Sequence, residues 1–337
     1  MDHPLRTAVA VLTGLVALAN TQDRASAQST VAGPLQLETQ IPLGDVRGRI
    51  DHMAVDLKRQ RLFVAELGND SVGIVDLQSR KVIARIPGLK EPQGVGYEPT
   101  TDTLYVANAG DGSVRLFDGN SYKATGRIEL GSDADNIRVD AAAKRVFIGY
   151  GSGGLAMIDP STRSKVGDIL LTGHPESFQI DPDTNQIFVN VPDSSGVAVA
   201  DRVSQKQIGK WPLTNGGTNF PMALDSVRHQ ILVIFRTPAQ FGAFSMTDGK
   251  PIATTETCGD SDDLFIDAKR SRVYVSCGAG FLDVLEVKEA VYRRIARIPT
   301  VSGARTSLFV PEMDRLLVAV RASSGTLAAI WMFRPTP

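Results

Sequence analysis

Polar residues of the kinds that form binding sites recur at nearly constant intervals along this chain. Matching segments, each an apolar strand, an acidic turn and a second apolar strand, carry anchors spaced 41 to 44 residues apart at Asp56, Glu98, Asp140, Asp181, Asp225, Asp267 and Val310. Five residues before the anchors stand Asp51, Gln93, Asp135, Glu176, Phe220, Asp262 and Arg305. Four residues before them stand His52, Gly94, Asn136, Ser177, Pro221, Asp263 and Thr306. This recurrence indicates that a repeated element brings the polar groups together.

If these side chains converge, they could bind either a metal ion or an organic ligand. Carboxylate and amide oxygens suit a hard cation such as Ca²⁺, whereas imidazole groups would favour Zn²⁺ or another transition metal. A divalent metal ion would polarise a lactone carbonyl and activate water. The candidate metal ligands are Asp51, His52, Asp135, Glu176 and Asp262.

Without a metal, the same residues would hold a polar or cationic ligand, with Arg305 gripping a carboxylate. The expected ligand-binding set comprises Asp51, His52, Gln93, Asp135, Asn136, His174, Glu176, Asn219, Asp262, Asp263 and Arg305. For any one of them the simpler alternative is that it caps a strand and bonds to loop backbone.

The elements that must position these residues are short strands. The first unit contains four strand-like segments at 50–55, 61–66, 71–76 and 81–86, separated by Gly, Asn, Asp and Ser. Alternating apolar residues within the segments indicate strands, and no segment has a helical period. A unit of about 40–45 residues with four strands is typical of a β-propeller blade. The repeat therefore predicts an all-β, seven-bladed propeller of four-stranded antiparallel blades.

The two ends of the chain predict how the ring closes. The seventh unit ends after a third strand at 326–333, and its missing fourth strand matches LETQIPLG at 37–44, which resembles KVIARIPG at 81–88. We expect the N-terminal strand to complete the last blade and remove the exposed sheet edge. The loops entering the innermost strands would then gather the polar residues at one mouth of the axial channel.

The repeat also resembles that of a known family. The segments LFVAELGNDSVGIVDLQSRKVIARIPG, from Leu62, and LYVANAGDGSVRLFDGNSYKATGRIELG, from Leu104, are similar to the YVTN-type β-propeller repeat of YncE-like exported proteins. Tyr105-Val106-Ala107-Asn108 is close to the tetrad that names the family, and later units depart from it as IFVN and VYVS. The resemblance implies a propeller, and related propellers include binding proteins, lactonase-like enzymes and redox-enzyme subunits.

The N-terminus has the organisation of a secretory signal peptide. A short stretch with Arg6 precedes an apolar run at 7–19, and Ala25-Ser26-Ala27 forms an A-x-A cleavage site. We expect residues 1–27 to be removed, leaving a single domain at 28–337 that is periplasmic or secreted. An uncleaved N-terminal anchor is the alternative. No later segment is long and apolar enough to predict a transmembrane helix.

Composition limits the partners. The chain has 337 residues, a formal net charge of −1 and 42% hydrophobic residues, which is typical of a folded globular protein. The balanced charge disfavours a nucleic-acid partner. We expect a monomer that meets a small molecule or a protein partner at the channel mouth.

The only two cysteines, Cys258 and Cys277, fall in one unit, beside the expected mouth. A disulfide between them is feasible in an oxidising compartment. Two buried thiols and a thiolate copper site are the alternatives.

The sequence thus predicts an exported propeller that binds a small ligand, ion or protein partner at its axial mouth, with no reaction assigned. One alternative is a metal-assisted, lactonase-like hydrolase with a carboxylate or His52 as general base. The other is an accessory subunit of a periplasmic redox enzyme.

Overall fold

The repeated strand segments pair in chain order to form seven separate four-stranded antiparallel sheets. The structure is a computed structural model that describes Met1, residues 33–213 and residues 216–337. The signal peptide predicted at 1–27 lies outside the described residues, apart from Met1. No helix of the described residues is long and apolar enough to cross a membrane.

Blades 1 to 4 each contain four strands that are consecutive in sequence. Blade 1 comprises β2 Met53–Asp56, β3 Arg61–Glu66, β4 Ser71–Asp76 and β5 Lys81–Ile86. Blade 2 comprises β6 Pro92–Glu98, β7 Thr103–Asn108, β8 Ser113–Asp118 and β9 Ala124–Glu129. Blade 3 comprises β10 Ala134–Asp140, β11 Arg145–Tyr150, β12 Gly154–Asp159 and β13 Ser164–Leu170. Blade 4 comprises β14 Phe178–Ile180, β15 Gln186–Val191, β16 Gly196–Asp201 and β17 Lys206–Pro212.

Blades 5 and 6 repeat this order, whereas blade 7 takes one strand from the N-terminus. Blade 5 comprises β18 Gly217–Asp225, β19 Gln230–Thr237, β20 Ala239–Ser245 and β21 Pro251–Glu256. Blade 6 comprises β22 Ser261–Asp267, β23 Arg272–Cys277, β24 Phe281–Lys288 and β25 Val291–Pro299. Blade 7 comprises β26 Ser307–Val310, β27 Arg315–Val320, β28 Ala329–Pro335 and β1 Leu35–Pro42. Three short 3₁₀ helices, Leu67–Asn69, Pro192–Ser194 and Pro311–Met313, lie in the connections.

The predicted seven-bladed propeller is confirmed, with small shifts at strand ends. β2 begins at Met53 rather than at residue 50. The two preceding residues both bond to Ala65 of β3, because the Asp51 amide donates to the Ala65 carbonyl at 2.8 Å and the Ala65 amide donates to the His52 carbonyl at 3.0 Å. The His52 amide itself donates to the Gln93 carbonyl of blade 2 at 3.2 Å. The first strand runs two residues earlier than predicted, and the strand predicted at 326–333 lies at Ala329–Pro335.

The core consists of seven hydrophobic clusters, one between each pair of neighbouring blades. Successive strand residues point to opposite faces of a sheet. In β3, Leu62 and Val64 therefore pack toward blade 7, whereas Phe63 and Ala65 pack toward blade 2. All four are fully buried. Each blade thus depends on both of its neighbours, which explains the continuous apolar runs of the second strands.

Strand β1 closes the ring by pairing antiparallel with β28, from Leu35 opposite Pro335 to Pro42 opposite Ala329. Ile41 has no exposed surface and joins the cluster between blades 7 and 1. The chain ends are thereby built into one sheet, as the repeat predicted.

Replacement of Ile41 by Ala tests this closure. Loss of the buried side chain should lower the free energy of unfolding by about 2–4 kcal/mol, because a cavity opens at the closing blade. Denaturant unfolding should still show one transition. The matched control Leu37→Ala lies on the same strand with 39% of its surface exposed, and it should change stability by less than about 0.5 kcal/mol. Equal effects of the two variants would contradict the closure account.

Candidate functional site

The residues that stand four and five positions before the repeat anchors, which we call the polar ring, coincide with irregularities at one end of the innermost strands. In β6 the pairing register shifts between Pro92 and Val95, and in β10 it shifts between Ala134 and Ile137. Similar shifts occur in β18 between residues 219 and 222 and in β22 between residues 261 and 263. Such bulges redirect side chains away from the regular alternation of a strand. They explain how polar residues can stand at the start of apolar strands.

Close backbone packing between blades 2 and 3 fixes the position of Asp135. Gly94 lies so near to Asp135 that a Cβ at this position would overlap the Asp135 carbonyl oxygen. Glycine is therefore required here by the close approach of the two backbones. The polar ring thus contains residues that shape the site as well as residues that line it.

The mouth cavity, as we call the space at this end of the axis, has a volume of about 200 Å³. Seven of the predicted ligand-binding residues line it: His52, Gln93, Asp135, His174, Glu176, Asp262 and Arg305. Its other lining residues are Arg49, Asp133, Phe220 and Arg236. Of these, only Phe220 belongs to the recurrent ring. The other three sit outside the repeating positions, so the periodicity gave no signal for them.

Four predicted residues do not line the mouth cavity, and their part in ligand binding stays a prediction. Asp51 is fully buried, with Arg49 Nη2 2.7 Å from its Oδ2. Asn136 is also buried, with 3% of its surface exposed.

Asn219 and Asp263, the other two, connect parts of the ring. Buried Asn219 donates hydrogen bonds from Nδ2 to Asn190 Oδ1 at 2.9 Å and to the Gly196 carbonyl at 3.0 Å. Asp263 accepts a hydrogen bond at 2.8 Å from the Ser307 amide of blade 7, and it lines the axial channel instead of the mouth. These contacts match the alternative in which such residues cap strands and bond to the backbone.

The arginines of the mouth cavity are neutralised by carboxylates. Arg305 Nε lies 2.9 Å from Asp262 Oδ2, and Arg305 Nη1 donates to Asp260 Oδ1 at 2.9 Å. Arg236 also pairs with Asp262. Its guanidinium carbon lies 3.7 Å from the centre of the Phe220 ring, so it covers that aromatic face. These side chains come from blades 5, 6 and 7 and form the paired side of the mouth.

The opposite side, from blades 3 and 4, has carboxylates without such cations. Within residues 33–213 and 216–337, Asp135 and Glu176 have no Lys or Arg nitrogen within 4.0 Å. His174 lies there, with Nδ1 2.5 Å from the Gly151 carbonyl oxygen and 3.6 Å from Asp133 Oδ2. The mouth cavity therefore has an acidic side with unused acceptor capacity.

Two buried oxygen atoms on this side, Asp135 Oδ1 and Asn136 Oδ1, have no hydrogen-bond donor within the described part of the chain. Asp51 Oδ1, in the loop before blade 1, also has none among the described residues. Burial, together with the carboxylates of Asp262 and Asp135, raises the pKa of Asp51 to about 6 against the opposing effects of His52 and Arg49. Burial, together with Glu176 and Asp262, likewise raises the pKa of Asp135 to about 6 against His52 and His174. The negative charges are therefore insufficiently compensated.

The nearby carboxylates also change the pKa values of the two histidines. Burial acts to lower the pKa of His52, but the carboxylates of Asp263, Asp51 and Asp135 outweigh it and the pKa lies above its usual value. The pKa of His174 is also raised, because its bond to Gly151 and the nearby Asp133 and Glu176 overcome the effect of burial. Burial raises the pKa of Glu176. The carboxylates thus favour the charged form of both histidines.

The candidate metal ligands do not form a metal-holding group. Within the part of the chain that the structure describes, no three His, Cys, Asp or Glu side chains converge closely enough to hold a metal ion. Asp51 is paired with Arg49 and does not line the cavity, and Asp262 is paired with two arginines. The arrangement of these carboxylate oxygens favours a ligand that carries hydrogen-bond donors.

The two cysteines form a disulfide in the structure, with their Cα atoms 5.8 Å apart. Both are buried, and Cys277 ends β23 beside the loop that carries Asp260. Because the Gly278 amide donates to the Asp260 carbonyl at 2.7 Å, the cross-link lies next to the paired side of the mouth. Oxidation of the pair in solution stays a prediction.

Comparison with known proteins identifies the fold and leaves the family open. No protein-family profile and no curated protein matches the sequence. The structure is similar to Kuenenia stuttgartiensis hydrazine synthase, with 17% identity, a TM-score of 0.75 and coverage of 92% of this chain and 99% of that one. It is also similar to the RRP9 WD40 repeats, with 10% identity, a TM-score of 0.76 and coverage of 90% and 98%. A chain of a mitotic checkpoint complex matches with 14% identity, a TM-score of 0.74 and coverage of 95% and 99%.

The disulfide can be tested by alkylation of unfolded, unreduced protein, followed by mass spectrometry. We expect no alkylated cysteine before reduction and two afterwards. Replacing both cysteines by Ser should lower the free energy of unfolding by about 2–4 kcal/mol, because the unfolded chain gains freedom. Two alkylated cysteines without reductant would show that the pair is not oxidised.

Proposed function

We propose that the mouth cavity binds a small organic cation that donates N–H hydrogen bonds, such as a primary amine or a guanidinium group. The observation that carries this proposal is Asp135, a carboxylate with 6% exposure that lines the cavity and has a buried oxygen without a donor. A buried acceptor without a partner costs about 1–3 kcal/mol. A cationic donor would satisfy that oxygen and offset the carboxylate charge together.

The surroundings of Asp135 favour a cation over an anion. Asp135 and Glu176 lack lysine or arginine partners, whereas the mouth arginines already have carboxylate partners. An anion at Arg236 or Arg305 would have to displace Asp260 or Asp262 from a guanidinium. A cation needs only to approach the acidic side.

A primary amine fits better than a quaternary ammonium group. Quaternary ammonium ions are recognised by the faces of aromatic rings. Phe220 is the one aromatic residue among the described residues that line the mouth cavity, and Arg236 covers its face. The cavity volume of about 200 Å³ admits an amine head group with a short chain.

The two alternative functions have less support. The candidate metal ligands do not converge, so a metal-assisted lactonase lacks its central group. The likeness to hydrazine synthase, at 17% identity, concerns the fold alone. It therefore gives no specific support to a role as a redox-enzyme subunit. A lysine side chain of a protein partner would carry the same amine chemistry as a free small molecule.

Export and membership of the YVTN-type family belong to the same proposal. They are supported by the signal-like residues 1–27 and by the tetrad at Tyr105-Val106-Ala107-Asn108. Expression of the full chain in a bacterium, followed by N-terminal sequencing of the periplasmic fraction, should give a mature protein beginning at Gln28. Recovery of an uncleaved chain from the cytoplasm or the membrane would contradict export by this segment.

Amine binding can be tested by calorimetry with methylammonium and the variant Asp135→Asn. We expect wild type to bind methylammonium more tightly than tetramethylammonium, which has no N–H donor. Asp135→Asn should weaken methylammonium binding by about tenfold, or about 1.4 kcal/mol. Affinity should rise between about pH 5 and about pH 7 as the carboxylates lose protons and the histidines lose charge.

The matched control is Asp193→Asn, which removes the same charge from an exposed position on blade 4. It should bind as wild type does.

A protein loses stability as pH rises when the pKa of one of its carboxyl groups is higher in the folded than in the unfolded state. Asp135→Asn should therefore raise the free energy of unfolding by about 1–3 kcal/mol at neutral pH, and this gain should vanish near pH 4. Unchanged amine affinity in this variant would overturn the proposal.

A further inference from the structure

A second charged position lies in the axial channel, beyond the mouth cavity. Arg138 on β10 lines this channel, which has a volume of about 580 Å³. His52 lines both spaces, so it marks the boundary between mouth and channel. The volume is within the range of small-molecule sites.

Arg138 differs from the mouth arginines in having no carboxylate partner. Across residues 33–213 and 216–337, no carboxylate oxygen lies within 4.0 Å of its guanidinium. Nη1 donates to the Ile137 carbonyl at 2.9 Å, and Nη2 reaches Ser177 Oγ only at 3.5 Å. A guanidinium has five N–H donors in a planar fork that matches a carboxylate. Most of that donor capacity is left for a ligand.

Two basic residues and one carboxylate line the described part of the channel. The carboxylate is Asp263, which faces His52 with 3.8 Å between Oδ1 and Nδ1. Burial raises the pKa of Asp263 to about 7, although His52 and Arg138 act to lower it. The one carboxylate of the lining is thus directed to His52, and no described carboxylate lies within 4.0 Å of Arg138.

The remaining lining favours an organic ligand over an inorganic ion. Apolar side chains from the innermost strands, including Met53, Ile137 and Leu264, line the channel beside Arg138. Gln179 already donates from Nε2 to the Met222 carbonyl at 2.8 Å, which leaves Arg138 as the main donor beside it. A short hydrocarbon chain would find apolar contacts there.

The channel can be reached without passing the mouth cavity. Pro182 and Ser226, which follow the ends of β14 and β18, line its far end. These residues lie in the acidic turns after the innermost strands, at the opposite end from the polar ring. The two sites therefore have separate openings.

We propose that the axial channel binds a small organic carboxylate, held by Arg138 with its hydrocarbon chain against the innermost strands. This site is distinct from the amine site and does not depend on it. Bidentate guanidinium–carboxylate pairing provides orientation as well as affinity.

Calorimetry with butyrate tests the proposal, with butyramide and butylammonium as uncharged and cationic analogues of similar size. Wild type should bind butyrate and should bind butyramide at least about tenfold more weakly. Arg138→Gln should weaken butyrate binding by at least about tenfold, and Arg138→Lys should have a smaller effect because it keeps the charge without the planar fork. The control Arg163→Gln removes the same charge from an exposed position on blade 3 and should bind as wild type does.

Several outcomes would overturn the proposal. They are absence of butyrate binding to wild type, equal binding of butyrate and butyramide, and equal loss of affinity in Arg138→Gln and Arg163→Gln. Because the analogue comparison uses wild-type protein, it decides the matter even if Arg138→Gln does not fold. Asp135→Asn should retain butyrate binding, so failure of the amine site and failure of the channel site can be told apart.

Discussion

Packing of every blade against two neighbours is the constraint on which the rest of this structure depends. Each second strand buries side chains on both faces, as Leu62 and Phe63 do toward blades 7 and 2. A blade on its own would expose one or both of these apolar faces to water. Pairing of β1 with β28 completes the last blade, so the innermost strands are held around one axis. The positions of the mouth and channel residues follow from that ring.

The same constraint accounts for the electrostatics of the axis. Bulges at one end of the innermost strands turn polar side chains inward, and the surrounding blades limit the water that reaches them. Asp135 and Glu176 of blades 3 and 4 are thereby buried with no lysine or arginine partner among the described residues, which destabilises their charged forms. Beyond His52 the channel holds Arg138, whose guanidinium has no carboxylate oxygen within 4.0 Å among the described residues. A charge pattern that costs stability in the free protein is typical of a binding site.

The repeat was sufficient to predict the blade number, the strand order and the closing strand, because each depends on a pattern that recurs about every 42 residues. It also predicted Asp135, Glu176 and Arg305 at the mouth. It could not predict Arg49, Asp133 or Arg236 at the site. Arg49 and Asp133 lie in the loops before β2 and β10, and Arg236 lies near the end of β19, so none of them stands at a repeated position. Nor could spacing distinguish Asp263 from Asp262, since a register shift between Ser261 and Asp263 sends these neighbours to different cavities.

The central claim is that Asp135, a buried carboxylate at the mouth, lacks a compensating donor until a cation binds. Titration of aspartate side-chain carboxyl carbons by ¹³C NMR tests it directly, with Asp135→Asn used to assign the resonance. We expect the Asp135 carboxyl group to titrate at a pKa of about 6 in the free protein, and methylammonium to lower this value. Titration of Asp135 near the ordinary value of 3.8, with no response to methylammonium, would contradict the claim.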